Sequence, residues 1–225
     1  MTISVVIPAL DEAACITGAV ESVAGSGVEV IVVDGGSRDE TVRLARDAGA
    51  RVLVADQRQR GRAHQLRLGG EKSTGEVILF LHADTVLSEE WKAAVDCVMA
   101  DPACAGGAFT LRFSERGARE RWIESWVAAR VAVLRLPYGD QALFMRRDVL
   151  EGMGGVPIVP MMEDLDLVRA IKRAGKLAIL APAATTSSRR YRERGTLRTI
   201  VWHQIALLGW VLGWDRVRLA RRMGR

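Results

Sequence analysis

Two carboxylates come shortly after short apolar segments in the first half of the chain. Asp84 lies three positions beyond the run 77–81, and Asp34 directly follows the run 29–33. Runs this short and this apolar predict strands that are covered on both faces of a sheet. At the carboxyl end of such a strand, a carboxylate can hold Mg²⁺ or Mn²⁺ against phosphate oxygens, or accept hydrogen bonds from a ribose or a base edge. Asp84 is our candidate for the first role and Asp34 for the second.

Both carboxylates also have a purely structural interpretation. Asp84 can cap a helix predicted over residues 88–99, and Asp34 can form a turn with Gly35 and Gly36. The residue types fit either role, so the local sequence leaves the choice open.

Further candidates stand at the start of two predicted helices. Arg62 and Gln65 suit phosphate or base contacts, although basic residues of this kind more often form a solvated face. Glu163 and Asp164 follow a long loop. They fit a general base on a loop, and they fit equally well as ordinary partners of the helix dipole.

Apolar strands and amphipathic helices alternate along the first third of the chain. This order predicts an α/β fold with a parallel sheet and right-handed crossovers. The first strand covers Ile3–Ile7, and no GxGxxG sequence follows it, which disfavours a dinucleotide-dependent dehydrogenase. A sheet of this kind would bring the polar residues after its strands to one edge.

Composition restricts the class of protein. The chain has 225 residues, 49% hydrophobic and 26% charged, which is typical of one globular domain. A net charge of +5 favours anionic partners such as phosphorylated small molecules or an anionic membrane surface. No aromatic platform accompanies the basic residues 58–67, so we expect no nucleic-acid binding. The three cysteines lack CxxC spacing and predict buried, reduced thiols.

The C-terminal region is basic and rich in tryptophan. Trp202, Trp210 and Trp214 lie in an apolar stretch over residues 200–214, and arginines follow it. An interfacial membrane helix has this composition, and so does a helix that packs on the protein or on a second subunit. We find no secretory signal and no apolar run of about 18 residues. We therefore expect a cytoplasmic protein, with the inner face of the membrane as an open option.

Five segments in this order resemble the family-2 glycosyltransferases of the GT-A fold. They are SVVIPALDE at 4–12, VVDGGSRDET at 32–41, GRA at 61–63, LHADT at 81–85 and MED at 162–164. The match covers roughly residues 1–182, and PYGDQ at 137–141 resembles a small bacterial branch of the family. The resemblance implies a mostly parallel central sheet flanked by helices, with a nucleotide-binding half over 1–100 and an acceptor and catalytic half over 101–182. An amphipathic helical tail would occupy 183–225.

The resemblance also implies an activity. Such an enzyme moves a sugar from a nucleotide diphosphate donor, UDP before GDP, to a hydroxyl acceptor with inversion, and it uses Mg²⁺ or Mn²⁺. Asp164 would be the base and Glu163 would orient or share its work, while Asp84 and His82 would hold the cation. The donor site implied is Pro8, Ala9, Asp11, Glu12, Asp34, Gly35, Arg62, His82, Ala83, Asp84, Arg189 and Arg190.

This sequence departs from the family pattern at two places. His82 replaces the first acid of the Asp-x-Asp motif, although a neutral imidazole can ligate Mn²⁺. The Gln-x-x-Arg-Trp signature of processive synthases is missing, and residues 188–191 (SRRY) occupy a comparable place. We therefore expect a single transfer, with Arg189 or Arg190 beside the diphosphate.

Two other classes of function are open alternatives. One is a non-catalytic nucleotide-sugar or membrane-surface binding protein. The other is a nucleotidyltransferase, which would need a basic glycine-rich loop after the first strand, and residues 8–14 contain neither a glycine nor a basic residue. The C-terminal helix could also support a homodimer.

Overall fold

A computed structural model describes residues 1–56 and 61–223, apart from the side chains of Arg190, Glu193 and Arg194. Within these residues the strands are Ile3–Ala9 (β1), Val28–Asp34 (β2), Arg51–Val54 (β3), Val77–Phe80 (β4), Thr85–Leu87 (β5), Cys104–Phe113 (β6), Leu143–Arg146 (β7) and Lys176–Thr186 (β8). The helices are Ile16–Glu21 (α1), Thr41–Asp47 (α2), Arg62–Lys72 (α3), Trp91–Met99 (α4), Ala118–Leu134 (α5), Arg147–Gly152 (α6), Glu163–Ala174 (α7), Arg189–Arg194 (α8), Thr196–Val211 (α9) and Arg216–Arg222 (α10), with a 3-10 turn at Gly139–Gln141.

The strands form one sheet in the order β3-β2-β1-β4-β7-β6-β8-β5. Strands β1 to β4 are parallel neighbours, and β6 is parallel to β8. Strand β7 runs antiparallel between β4 and β6, and β5 runs antiparallel to β8. The predicted mostly parallel sheet flanked by helices is therefore confirmed.

Each face of the sheet has its own apolar core. Alternate residues of a strand point to opposite faces, so Val5 and Ile7 pack with α1, α2 and α4 while Val6 packs with α3, α6 and α7. Gly69 lets α3 approach β1 closely, because a Cβ there would come within 2.2 Å of Val6 Cγ1. Burial on both faces explains why the central strands are continuously apolar.

The second half of the chain departs from the predicted boundaries. Strand β8 continues to Thr186, so residue 182, the predicted end of the domain, falls inside a strand. The apolar stretch predicted over 200–214 forms α9 over Thr196–Val211, and α10 follows it. Among the described residues, no helix is long and apolar enough to cross a membrane.

The cysteines differ in part from their predicted burial. Cys104 is buried, Cys15 is half-buried and Cys97 is exposed, so the prediction of buried thiols is wrong for Cys97. On α5, Trp126 packs against an apolar cluster, whereas Trp122 is 53% exposed.

Candidate active site

The carboxyl ends of β1, β2 and β4 border a cleft of about 970 Å³. The parallel register pairs Ala9 with Asp34 and Val6 with Phe80, which brings the residues that follow these strands together. The candidate donor-site residues that line the cleft are Pro8, Ala9, Asp11, Glu12, Asp34, Gly35, Arg62, His82, Ala83, Asp84 and Arg189. The side chain of Arg190, the remaining candidate, lies outside the described residues.

Asp34 is almost completely buried, and it builds the turn that follows β2. Its Oδ2 accepts hydrogen bonds from the backbone N–H of Gly36 at 2.9 Å and of Ser37 at 3.1 Å. The Ser37 hydroxyl donates to Oδ1. Asp34 therefore forms the turn that its structural interpretation predicts, and its carboxylate also borders the cleft.

Asp11 connects the loops after β1 and β2. Its Oδ1 accepts the N–H of Arg38 at 2.8 Å, and its own N–H donates to the Ser37 hydroxyl at 2.9 Å. Asp11 has a φ of 53°, a left-handed conformation that aspartate tolerates better than most residues. Ser37 and Arg38 also line the cleft, and sequence reasoning did not select them.

Gln65 holds the wall of the cleft together instead of offering a base contact. Its buried side-chain amide donates to the carbonyls of Ala9 at 2.7 Å and Val33 at 2.9 Å. These bonds tie α3 to the ends of β1 and β2. A side-chain amide committed to two backbone carbonyls has a structural role.

Asp84 does not cap a helix. Strand β5 separates it from α4, which begins at Trp91. The Asp84 carboxylate lies 3.4 Å from the Thr186 hydroxyl and 3.5 Å from that of Thr85, long distances for hydrogen bonds. Asp84 is half-buried at the edge of the cleft, so its carboxylate oxygens can coordinate a cation.

The donor set at this position fits a cation that is shared with a diphosphate. Among the described residues, no group of three or more His, Cys, Asp or Glu side chains gathers as a metal cage. Mg²⁺ is typically held by one or two carboxylates, with phosphate oxygens and water completing its octahedron. Asp84, with His82 two residues away in the same cleft wall, matches that kind of site.

Arg189 reaches the cleft from the segment after β8. Its guanidinium lies 3.4 Å from a carboxylate oxygen of Glu12. The Cys15 thiol donates to the same oxygen at 3.2 Å. Burial, the hydrogen bond to Glu12 and nearby negative charge raise the pKa of Cys15 to about 12. A thiol whose pKa is raised in this way is a weak nucleophile.

A smaller cavity of about 60 Å³ adjoins the cleft and shares Arg62 and His82 with it. Glu163 and Asp164, from the first turn of α7, line this cavity. Arg62 Nε lies 3.4 Å from Glu163 Oε1. The two candidate catalytic acids thus lie beside the residues that lead to the donor cleft.

The PYGDQ segment positions Asp164. The Gly139 N–H donates to Asp164 Oδ2 at 2.9 Å, and the Leu165 N–H donates to Oδ1 at 2.9 Å. A Cβ at position 139 would lie 2.4 Å from Arg62 Nη2 and 3.2 Å from His82 Nε2. A side chain at position 139 would therefore push the Arg62 guanidinium aside, so glycine lets this segment lie directly against Arg62 and His82.

The C-terminal helices complete the smaller cavity, which sequence reasoning missed. His203 of α9 and Met223 line it, and the His203 ring lies edge-on to Tyr138 and Tyr191 at 6.0 and 6.3 Å. The available signal was a histidine that interrupts an apolar stretch. Only a long-range contact could have assigned it to this cavity.

Asp166 fastens the tail to α7. Its carboxylate accepts from Trp210 Nε1 at 2.9 Å and from two nitrogens of Arg216 at 2.5 and 3.0 Å. The Arg169 guanidinium lies 3.9 Å from the centre of the Trp210 ring. The side of the tail that carries Trp210 and Arg216 therefore packs on the protein, which is one of the interpretations that the sequence leaves open.

The family follows from comparison with known proteins. The family model for glycosyl transferase family 2 matches residues 4–150, which is more than half of the chain. The chain therefore belongs to glycosyl transferase family 2, as its motifs predict, and has the GT-A fold.

Curated relatives match only a segment of the chain. A PGL/p-HBAD biosynthesis glycosyltransferase of Mycobacterium tuberculosis is 33% identical over 93 residues, 38% of this chain and 36% of the relative. The glucosyl-3-phosphoglycerate synthase of Mycolicibacterium paratuberculosis is 36% identical over 95 residues, 38% of this chain and 29% of the relative. The match spans about a third of the length of these relatives.

Solved structures share the fold over most of the chain. Glucosyl-3-phosphoglycerate synthase from Mycobacterium tuberculosis, in complex with Mg²⁺ and UDP, has a TM-score of 0.68 at 22% identity, covering 95% of this chain and 80% of that one. The mannosyltransferase PcManGT from Pyrobaculum calidifontis, in complex with GDP-Man and Mn²⁺, has a TM-score of 0.61 at 20% identity, covering 82% of this chain and 56% of that one.

Proposed function

We propose that this protein is a metal-dependent, inverting glycosyltransferase that moves one sugar from a nucleotide diphosphate sugar to a hydroxyl acceptor. The observation that carries the proposal is the pair of adjoining cavities. The larger one ends at Asp84, the smaller one contains Asp164, and both share Arg62 and His82. A donor and an acceptor would then meet at the shared residues.

The larger cleft suits the donor. Its volume of about 970 Å³ lies at the upper end for small-molecule sites. Of its lining residues, Asp34 would face a ribose or base, and Arg62 and Arg189 would face a diphosphate. UDP is the first candidate nucleotide. The glucosyl-3-phosphoglycerate synthase structure contains UDP with Mg²⁺, and PcManGT contains GDP-Man with Mn²⁺.

A divalent cation held by Asp84, with His82 beside it, would neutralise charge on the leaving diphosphate. Asp164 acts on the acceptor side. Its carboxylate takes the proton of the acceptor hydroxyl as that oxygen bonds to the anomeric carbon, and the bond from this carbon to the diphosphate oxygen breaks on the opposite face. The backbone N–H groups of Gly139 and Leu165 hold the carboxylate in place, and Glu163 orients Arg62.

Replacing Asp164 by Asn tests the proposed base. We expect sugar transfer to fall at least about 100-fold, because proton removal by a positioned base contributes about 10²–10⁴-fold. Nucleotide binding should be unchanged, as measured by the thermal shift that UDP and Mn²⁺ produce. Transfer is followed as nucleoside diphosphate released from a panel of UDP- and GDP-sugars, and the anomeric configuration of the product by NMR.

Asp148→Asn is the matched control, since Asp148 is an exposed carboxylate on α6. Full transfer by Asp164→Asn would contradict the assigned base. Donor binding without transfer across a broad acceptor panel would favour the binding-protein alternative. A product with retained configuration would exclude the inverting mechanism.

A further inference from the structure

The outward face of α9 bears an apolar stripe, formed by Leu197, Val201, Leu208 and Val211. Their spacing of four, seven and three residues places them on one side of the helix. Each side chain is more than half exposed. The exposed apolar side chains that extend the stripe toward and into α10 are Leu212, Trp214 and Val217. An apolar face of this length on a surface indicates a contact partner.

The orientation of the apolar stripe is set by the opposite face of the same helix. Ala206 is buried with Met161, and Leu207 is buried with Tyr138. The Trp210 indole donates to Asp166 at 2.9 Å. Because these three residues pack on the domain, α9 cannot turn its apolar stripe inward without losing their contacts.

Arginines accompany the apolar stripe. The exposed basic side chains of the two helices are Arg198, Arg218, Arg221 and Arg222. Arg198 stands three residues before Val201, and Arg221 four residues after Val217, so each lies on the surface beside an apolar neighbour. Asp215 is the sole acidic residue between 196 and 223. The patch formed by the apolar stripe and these arginines is therefore both apolar and strongly cationic.

The charge distinguishes between two occupants. A second copy of the chain would pack this patch on its own image in a two-fold dimer, and arginines of both copies would then approach each other at a cost. An anionic lipid surface attracts the same arginines, and its interface accommodates tryptophan and aliphatic side chains. We propose that the apolar stripe and its arginines dock on the surface of an anionic bilayer. This docking goes beyond the proposed transfer reaction and does not depend on it.

Co-sedimentation with lipid vesicles tests the docking. We expect the full chain to pellet with vesicles of phosphatidylcholine and phosphatidylglycerol, and to remain in solution with phosphatidylcholine alone. Binding should fall when salt is raised from about 0.1 M to about 1 M, because the Debye length shrinks from about 10 Å to about 3 Å. Arg198→Gln with Arg221→Gln should weaken binding about 30-fold, since each arginine near an anionic surface contributes about fivefold.

Two further variants separate charge from apolar insertion. Leu208→Ser with Val211→Ser should weaken binding at least about tenfold, because it removes apolar area from the contact. Arg43→Gln with Arg46→Gln on α2 removes the same charge from an exposed helix of the other half and should leave binding unchanged. Circular dichroism and the melting temperature of every variant show that it is folded.

Three results would overturn the proposal. They are absence of binding to anionic vesicles, equal loss in the α2 variant, and a dimer by light scattering that Leu208→Ser with Val211→Ser dissociates. The last result would assign the apolar stripe to a second copy of the chain.

Discussion

At the scale of single residues, the carboxylates around the cleft divide into two kinds. The carboxylate oxygens of Asp34 and Asp11 accept hydrogen bonds from backbone N–H groups, and these bonds hold the loops that shape the cleft. Asp84 meets only the distant hydroxyls of Thr85 and Thr186 among the hydrogen bonds described for it. A ligand for a cation needs unshared oxygen lone pairs, so Asp84 is the residue that suits that role.

Replacing Asp84 by Asn should therefore uncouple nucleotide binding from the metal. We expect Mn²⁺ to strengthen UDP binding to the unaltered protein, and to leave binding to Asp84→Asn almost unchanged, as measured by titration calorimetry with and without Mn²⁺. Transfer should fall at least about 100-fold, comparable with the loss of one strong electrostatic contact to a developing charge.

His82→Ala shows how much the imidazole contributes to the same site. A loss of Mn²⁺ dependence in both variants would make His82 a ligand, and a loss in Asp84→Asn alone would leave Asp84 as the anchor. Asp148→Asn is again the control. Full Mn²⁺ dependence in Asp84→Asn would contradict the assignment.

At the scale of elements, the loop before α5 determines where Arg189 stands. The Glu115 carboxylate accepts the Ser188 N–H at 2.9 Å and pairs with Arg192 at 3.0 Å. Burial by itself would raise the pKa of Glu115. Hydrogen bonds from the backbone of Ser188 and of Glu115 itself, and from the Ser114 and Ser188 hydroxyls, outweigh it and lower this pKa to about 2.

This lowered pKa predicts a pH dependence of stability. The carboxylate stabilises the folded state fully above its ordinary pKa of 4.5, and the contribution is lost as the pH falls toward about 2. Glu115→Gln should remove part of this dependence, of the order of 1 kcal/mol after solvent screening. Urea unfolding between these pH values measures it, as the difference between the variant and the unaltered protein.

Glu151→Gln is the control for Glu115→Gln, because Glu151 is an exposed glutamate on α6. An identical pH profile for Glu115→Gln and the unaltered protein would exclude the role of Glu115. Arg189 should also lose its position in the variant, so we expect weaker donor binding at neutral pH.

At the scale of the whole molecule, the C-terminal helices belong to the folded unit. Asp166 of α7 accepts hydrogen bonds from Trp210 and Arg216, and His203 completes the cavity that contains Asp164. The tail is therefore part of the candidate acceptor site, and its outer face alone is left for other contacts.

Asp166→Asn should loosen the tail. The variant leaves the half-buried Arg216 without its charged partner, and we expect a loss of about 1–3 kcal/mol in the free energy of unfolding. Urea unfolding followed by tryptophan fluorescence and by circular dichroism measures the loss. Coincident transitions in the unaltered protein would show that the tail and the domain unfold together. An unchanged stability, equal to that of Asp148→Asn, would contradict this account.

Much of the fold could be predicted from sequence because its signals are local. The central strands β1, β2 and β4 are apolar on both faces, so a few neighbouring residues are enough to predict their positions. The predicted strand boundaries are less accurate where pairing with a strand distant in sequence sets the end of a strand. Strand β8 extends to Thr186 because β5 and β6 pair with its second half, and no local pattern marks that extension.

Local sequence patterns indicate the α/β class, the family and the apolar strands that precede or contain Asp34 and Asp84. The folded molecule adds that a turn occupies the Asp34 oxygens, that Gly139 holds Asp164 across 25 positions, and that His203 lines the smaller cavity. The physical reason is that periodicity and turn chemistry act between near neighbours, whereas a side chain's partners depend on which distant elements pack beside it.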